Sequence, residues 1–210
     1  VIQNDSSSVI KSTDGGRNWY VSESIPRNDL LQAKFVDELN IFLNIDTCIL
    51  KTTNGGVTWS IITVPTQIIN LFSLHVFDPN TIYTGAIYQT NSGLKYRMIR
   101  SLNGGDTWAR MDTSVPYVNT FTFFNKDTGW AFGGYIYRTT NGGTTFTSVS
   151  IPDCMQNPVS IDILDNSTLV MSGARYQEIF PGQNYPRPIM AFSTNGGSIW
   201  RCVDLGFYAF

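Results

Sequence analysis

The chain has 210 residues, with 14 Lys and Arg against 16 Asp and Glu, for a net charge of −2. Near neutrality excludes a generic nucleic-acid binder, which needs a basic surface to displace counterions. Hydrophobic residues at 42%, aromatics at 13% and only 14% charged residues exclude an intrinsically disordered chain. No apolar run reaches the roughly 18 residues that a membrane-crossing helix requires.

Read in chain order, the first element is a short apolar strand at Val9-Ile10, followed by Ser12-Thr13-Asp14-Gly15-Gly16-Arg17-Asn18-Trp19. That eight-residue pattern returns four times: Thr52 to Trp59, Ser101 to Trp108, Thr139 to Phe146 and Ser193 to Trp200. Each copy follows an apolar pair, Ile49-Leu50, Met98-Ile99, Ile136-Tyr137 and Met190-Ala191. Five copies make internal repetition the dominant signal. Asp or Asn before Gly-Gly supplies residues that tolerate positive φ, as a tight turn between antiparallel strands demands. The hydroxyl two residues earlier can bond the turn amides, and the closing aromatic re-enters the next strand as an anchor. The turn positions are therefore Ser12, Asp14, Gly16 and Trp19; Thr52, Asn54, Gly56 and Trp59; Ser101, Asn103, Gly105 and Trp108; Thr139, Asn141, Gly143 and Phe146; Ser193, Asn195, Gly197 and Trp200.

Between the copies the plan is constant. An apolar strand is followed by a polar turn and a second strand: Ala33–Val36 before Asp37-Glu38, Leu74–Phe77 before Asp78-Pro79-Asn80, Thr120–Phe124 before Asn125-Lys126-Asp127, and Val159–Leu164 before Asp165-Asn166. No segment has helical periodicity. The shortest repeat, about 38 to 40 residues, accommodates four short strands, the size of one propeller blade. The expected fold is all-β, a β-propeller of four-stranded antiparallel blades in one domain spanning residues 1–210. The first repeat is short of its innermost strand and residues 206–210 begin a surplus one. Five blades closed by the two termini are therefore favoured over an arc of a six- to eight-bladed ring.

The pattern is similar to the Asp-box, or BNR repeat. The unit Phe123–Gly134 followed by Tyr137–Gly143 resembles blades of the photosystem II stability/assembly factor family and of secreted bacterial BNR propellers. The resemblance implies export to a periplasm, a lumen or the exterior, and a non-catalytic role in assembly or binding within a larger complex. Asp-boxes also occur in sialidases and other glycoside hydrolases, so a carbohydrate-binding or glycoside-hydrolase propeller is the alternative. This chain departs from the strict box, with Asn at four of the five acidic positions and Phe146 in place of Trp. Val1 in place of Met, and the apolar end Gly206–Phe210, suggest a removed leader or a piece of something longer.

Catalytic signals are weak. The Arg-Ile-Pro element of sialidases is missing, and Ile25-Pro26-Arg27 has the residues in another order. Asp37, Glu38, Asp78, Asp127 and Asp165 could form a glycosidase carboxylate pair, yet each lies where Asp is simply a good turn former. His75 stands alone between apolar residues. No catalytic residue, cofactor or metal ligand is assigned. Cys48, Cys154 and Cys202 allow one bridge with a spare thiol or three buried thiols.

Candidate partner-binding residues fall in two sets. Lys11, Lys51, Arg100 and Arg138 precede four of the five motifs, with Phe192 at the fifth, and would form a partial basic belt able to dock an acidic protein surface. Two insertions, Ala86–Tyr96 and Gly173–Pro188, are expected as long loops carrying Tyr88, Tyr96, Tyr176, Phe180, Tyr185 and Arg187, of the types favoured as interface anchors. The expected partners are other protein subunits, or a glycan under the alternative.

Overall fold

The structure, a computed structural model, describes residues 7–25, 30–45, 47–111, 114–115, 118, 120–132 and 135–206. Every regular element among them is a strand. Ser7–Lys11 (β1) and Tyr20–Ile25 (β2) form a two-stranded sheet. Leu30–Phe35 (β3), Ile41–Ile45 (β4), Cys48–Thr52 (β5) and Ser60–Thr63 (β6) form the second sheet. Ile68–Asp78 (β7), Thr81–Thr90 (β8), Gly93–Ser101 (β9) and Ala109–Arg110 (β10) form the third. Thr120–Phe123 (β11), Gly129–Phe132 (β12), Ile136–Thr139 (β13) and Thr147–Val149 (β14) form the fourth. Asn157–Ile163 (β15), Leu169–Phe180 (β16), Gln183–Ser193 (β17) and Arg201–Asp204 (β18) form the fifth.

Each four-stranded sheet is an antiparallel meander in sequence order, and the Gly-Gly motif always joins its third strand to its fourth. Sheets one to three belong to one compact unit, Val1–Asn119, and sheets four and five to another, Thr120–Phe210. The first sheet departs from expectation. Among the described residues it has two strands, which flank a Gly-Gly motif and so match the third and fourth strands elsewhere, where the sequence suggested three; residues 1–6 lie outside the described residues. The closing strand expected at 206–210 lies, apart from Gly206, outside the described residues.

In the second, third and fourth sheets the second strand is the most buried, since it lies inside its sheet with residues in the core. All five residues of β4 are buried, and Phe42 joins Ile49, Leu71, Leu74, Ile82 and Ile99 in the core between the second and third sheets. In the other unit Trp130, Leu169, Met171, Ile189 and Ala191 fill the equivalent space between the fourth and fifth. Trp130 and Phe42 are fully buried, so truncating either to Ala removes about 3–5 kcal/mol.

The two insertions are not loops. Ala86–Tyr96 continues β8 into β9, with paired residues from Ala86↔Arg97 to Thr90↔Gly93. Gly173–Pro188 continues β16 into β17, from Gly173↔Ile189 to Phe180↔Gln183. Each is a hairpin prolonging the second and third strands of its sheet. The antiparallel order puts these hairpins at the end of the sheet opposite the Gly-Gly turn.

Cys154, in the segment leading into β15, is bridged to Cys202 on β18, and Cys48 is buried and outside the bridge. The sequence left both arrangements open, because two cysteines 48 residues apart meet only once the sheet has formed. Replacing both bridged cysteines with Ala is expected to cost about 2–4 kcal/mol, on the order of 5–15 °C in Tm. Adding reductant to the unaltered protein in differential scanning calorimetry should give the same shift, and an unchanged Tm in both experiments contradicts the bridge.

His75 lies on β7 with its ring 4.6 Å from that of Phe77. Burial first, and the charge of Lys34 second, lower its pKa from 6.5 to about 4. The folded protein thus takes up this proton later than the unfolded chain. The stability from the neutral ring is present above pH 6.5 and is lost as pH falls through about 4. A Tm profile across that window should slope downward toward acid, and His75→Phe should flatten the slope.

Candidate functional site

The Gly-Gly turn is built the same way five times. In the second sheet the Thr52 hydroxyl accepts the Gly56 N–H at 2.9 Å and donates to Asn54 Oδ1 at 2.9 Å. Asn54 Oδ1 then accepts the Thr58 N–H at 2.9 Å. Ser101, Thr139 and Ser193 repeat the first bond to Gly105, Gly143 and Gly197 at 2.8, 2.9 and 2.9 Å. Ser12 makes it to Gly16 at 2.7 Å. In the four complete sheets these hydroxyls are buried, so the bond is made where water cannot replace it. Gly55 and Gly56 have φ of 69° and 89°, which excludes a side chain without strain.

The residue four after Asp/Asn matches it chemically. Asp14, a carboxylate, accepts from the backbone and side chain of Asn18 at 2.9 and 2.6 Å. Those bonds, then that of Ser12, lower its pKa to about 2. The amides Asn54, Asn103 and Asn141 instead donate to the hydroxyls of Thr58, Thr107 and Thr145 at 2.8, 2.9 and 2.9 Å.

The turns also fasten neighbouring sheets. Trp108 Nε1–H donates back to Thr63 O, and Trp200 Nε1–H to Ser150 O, both at 3.1 Å. Trp19, on the first sheet, instead folds onto its own turn, donating to Gly16 O at 3.0 Å, and is 58% exposed. The cations run forward. Lys11 Nζ donates to Gly55 O at 3.4 Å and Lys51 Nζ to Pro79 O at 3.1 Å, each on the following sheet. Arg138 Nη2 points to Asn166 O at 3.5 Å. Behind them, Lys51 lies 5.5 Å from the Phe42 ring centroid and Arg138 5.4 Å from that of Trp130. Each is the cross-strand partner of the residue that it covers, and Arg100 occupies the same place opposite Tyr83. The head groups of Lys11, Lys51 and Arg138 thus each donate to a carbonyl of the following sheet, which leaves them less able to form a docking belt.

The candidate carboxylates are turn residues. Asp37 accepts the Leu39 and Asn40 N–H groups at 2.8 and 2.7 Å. Asp78 takes Asn80 and Thr81 at 2.8 and 3.0 Å, and Asp165 takes Ser167 and Thr168 at 2.8 Å each. In the fourth sheet Asn125 fills this place, not Asp127, bonding Asp127 and Thr128. The Asn40 N–H, foremost, lowers the Asp37 pKa, and the Ser167 N–H, foremost, lowers that of Asp165 to about 2. A glycosidase proton donor needs the opposite shift.

The aromatic candidates separate. Tyr88 is 4% exposed, belongs to the core, and has Arg110 stacked 4.8 Å from its ring centroid. It offers a partner no surface, a correction to the loop reading, because the hairpin alternation turns it inward. Tyr96 is half-buried, 6.1 Å from the Phe72 ring. On the other hairpin Tyr176 and Tyr185 remain 44% and 40% exposed. The position of Phe180 in β16 is described but its side chain is not. Tyr176 pairs with Pro186, while Gln177↔Tyr185 and Arg175↔Arg187 share the opposite face. Arg187 bonds Gln177 Oε1 at 2.7 Å and pairs with Asp204 at 3.2 Å. No carboxylate among the described residues pairs with Arg175, a residue that the sequence reading did not single out. Only the register, which places it opposite Arg187, reveals it.

Meandering four-stranded sheets, repeated in this way, define a β-propeller. No known family's sequence profile matches the chain, and no curated protein matches it by sequence. Solved propellers do match by structure. YCF48 from Cyanidioschyzon merolae superposes with a TM-score of 0.65 and 17% identity, over 93% of this chain and 63% of that one. A structure of YCF48 bound to D1 peptide gives 0.53 and 16%, over 97% and 71%. The GH74 enzyme of Niastella koreensis gives 0.48 and 20%, over 79% of this chain and 36% of that one, too low a score to carry an argument. At these identities the likeness establishes the fold alone. This chain spans 63 to 71% of the length of the two YCF48 chains.

The fastening role of Arg138 has a direct check. Arg138→Met removes the carbonyl contact and the ring contact together. It is expected to cost about 1–2 kcal/mol in chemical denaturation, whereas Arg175→Met on the hairpin should stay within roughly 0.5 kcal/mol. Equal effects would deny the fastening.

Proposed function

We propose that this protein is an exported, non-catalytic Asp-box propeller that serves as a protein-interaction module in the assembly of a larger complex. The observation that carries the reading is the hairpin 174–188. It holds Tyr176, Tyr185 and Arg175 exposed on a continuous ladder of strand pairs. Rigid Tyr side chains lose little entropy on binding, and Tyr and Arg dominate interface hot spots. Arg175 opposite the already paired Arg187 favours a partner segment that brings a carboxylate.

Three further points support the reading. The fold is shared with YCF48, one structure of which is bound to D1 peptide. The Cys154–Cys202 bridge suits an oxidising compartment outside the cytosol. Asp14, Asp37 and Asp165 are held as anions by turn hydrogen bonds, which suits a structural use of the carboxylates better than the acid–base work of the glycoside-hydrolase alternative.

The test is quantitative co-purification from the native source, comparing the unaltered protein with Tyr176→Ser/Tyr185→Ser/Arg175→Ser. Co-purifying subunits should fall at least about tenfold, matching the loss of one hot spot, with Tm unchanged. Undiminished recovery, or specific binding of the unaltered chain to an oligosaccharide array, would overturn the reading and advance the glycan-directed alternative.

A further inference from the structure

The five turns differ from one another at few atoms, and one difference bears on their chemistry. Four contain Asn-Gly: Asn54-Gly55, Asn103-Gly104, Asn141-Gly142 and Asn195-Gly196. Without a Cβ on the second residue, its backbone nitrogen can approach the preceding side-chain amide carbon. In all four turns that nitrogen is engaged alike. Gly55, Gly104, Gly142 and Gly196 donate their N–H to Leu39, Asn80, Asp127 and Ser167 carbonyls at 3.0, 2.9, 2.8 and 2.8 Å. The four Asn Oδ1 atoms also accept alike, from the N–H four residues on at 2.9, 2.9, 2.9 and 2.8 Å. That acceptor bond identifies which amide atom is Nδ2.

Only the Nδ2 side differs. Asn54, Asn103 and Asn141 each donate it to a Thr hydroxyl. After Asn195 the matching residue is Ile199, 71% exposed and without an acceptor, and Asn195 Nδ2 has no hydrogen-bond partner among the described residues. Its amide is held from one side, so rotation about the Cβ–Cγ bond breaks one fewer contact than in the sister turns.

We propose that Asn195 is the selective deamidation site of this protein. The Gly196 nitrogen loses its proton to hydroxide and bonds to Asn195 Cγ. Nδ2 takes a proton from water, the Cγ–Nδ2 bond breaks and ammonia leaves, closing a succinimide and regenerating hydroxide. Water then opens the ring at either carbonyl, giving aspartate or isoaspartate with no oxidant or reductant. Aspartate keeps both acceptor bonds, as Asp14 does in the first turn. Isoaspartate lengthens the main chain by one carbon inside a tightly covered turn. A Cβ on Gly196 would already lie 3.1 Å from Arg138 Nη1, so this product pushes away the guanidinium that fastens the fourth sheet to the fifth.

The test is incubation of the whole protein in mildly alkaline buffer, with peptide mapping by mass spectrometry for the exchange of ammonia for water. Asn195 should convert about three- to tenfold faster than Asn54, Asn103 or Asn141, the factor that one hydrogen bond supplies. Ile199→Thr should bring Asn195 down to the rate of the other three, and Thr58→Val should raise Asn54 to that of Asn195. Both substitutions are at exposed positions, and circular dichroism checks that the fold is kept. If Thr58→Val misfolds, Ile199→Thr decides alone. Equal rates at all four sites, or an unchanged Asn195 rate in Ile199→Thr, overturn the proposal.

Discussion

The buried hydroxyl inside the Gly-Gly turn of each four-stranded sheet is the contact on which the rest of the architecture depends. Thr52, Ser101, Thr139 and Ser193 satisfy a glycine N–H where water cannot reach. An unsatisfied N–H there costs more than the bond itself contributes. With the turn closed, the first Gly N–H meets a carbonyl of the first-to-second-strand turn of its own sheet. The hydroxyl closes one turn and the glycine N–H ties that turn to the other at the same end of the sheet.

From that end two fasteners reach outward in opposite directions. The indoles of Trp108 and Trp200 donate to the sheet before, and Lys11 and Lys51, ahead of their motifs, reach the sheet after. Neither is strong alone. Both act across an interface whose core is already dry, where Phe42 or Trp130 lies beneath the cation and screening is weak. Trp19 shows the dependence in reverse: it turns onto its own Gly16 and remains exposed. Repetition thus gives a scaffold in which each turn is both local and shared.

The opposite end of the sheets is less constrained, and there the chain varies. The second sheet closes β4 to β5 over two residues, whereas β8–β9 and β16–β17 run on as hairpins. Prolonging a ladder extends the rigid scaffold instead of adding a flexible loop, so a side chain at its tip keeps a defined direction. That places Tyr176 and Tyr185 on opposite faces of one hairpin and sends Tyr88 into the core of another.

Much of the fold could be read directly from the residues. Asp or Asn before Gly-Gly, a hydroxyl two residues earlier and an aromatic three residues after the glycines are local requirements of one turn, and local requirements leave a pattern in sequence. The strand plan was equally legible from apolar stretches set between polar turns. What remained hidden depends on pairs distant along the chain. Whether Cys154 meets Cys202, whether Lys51 reaches Pro79, and which tyrosine faces outward are decided by register and by the packing of one sheet on the next. A one-residue shift in pairing reverses the face of every side chain in a strand. The sequence by itself therefore determined the repeat, its turn chemistry and the all-β class, because those need only neighbouring residues. Only the tertiary structure decided which of the cations and aromatics hold the sheets together and which stand clear, because that depends on what packs above them.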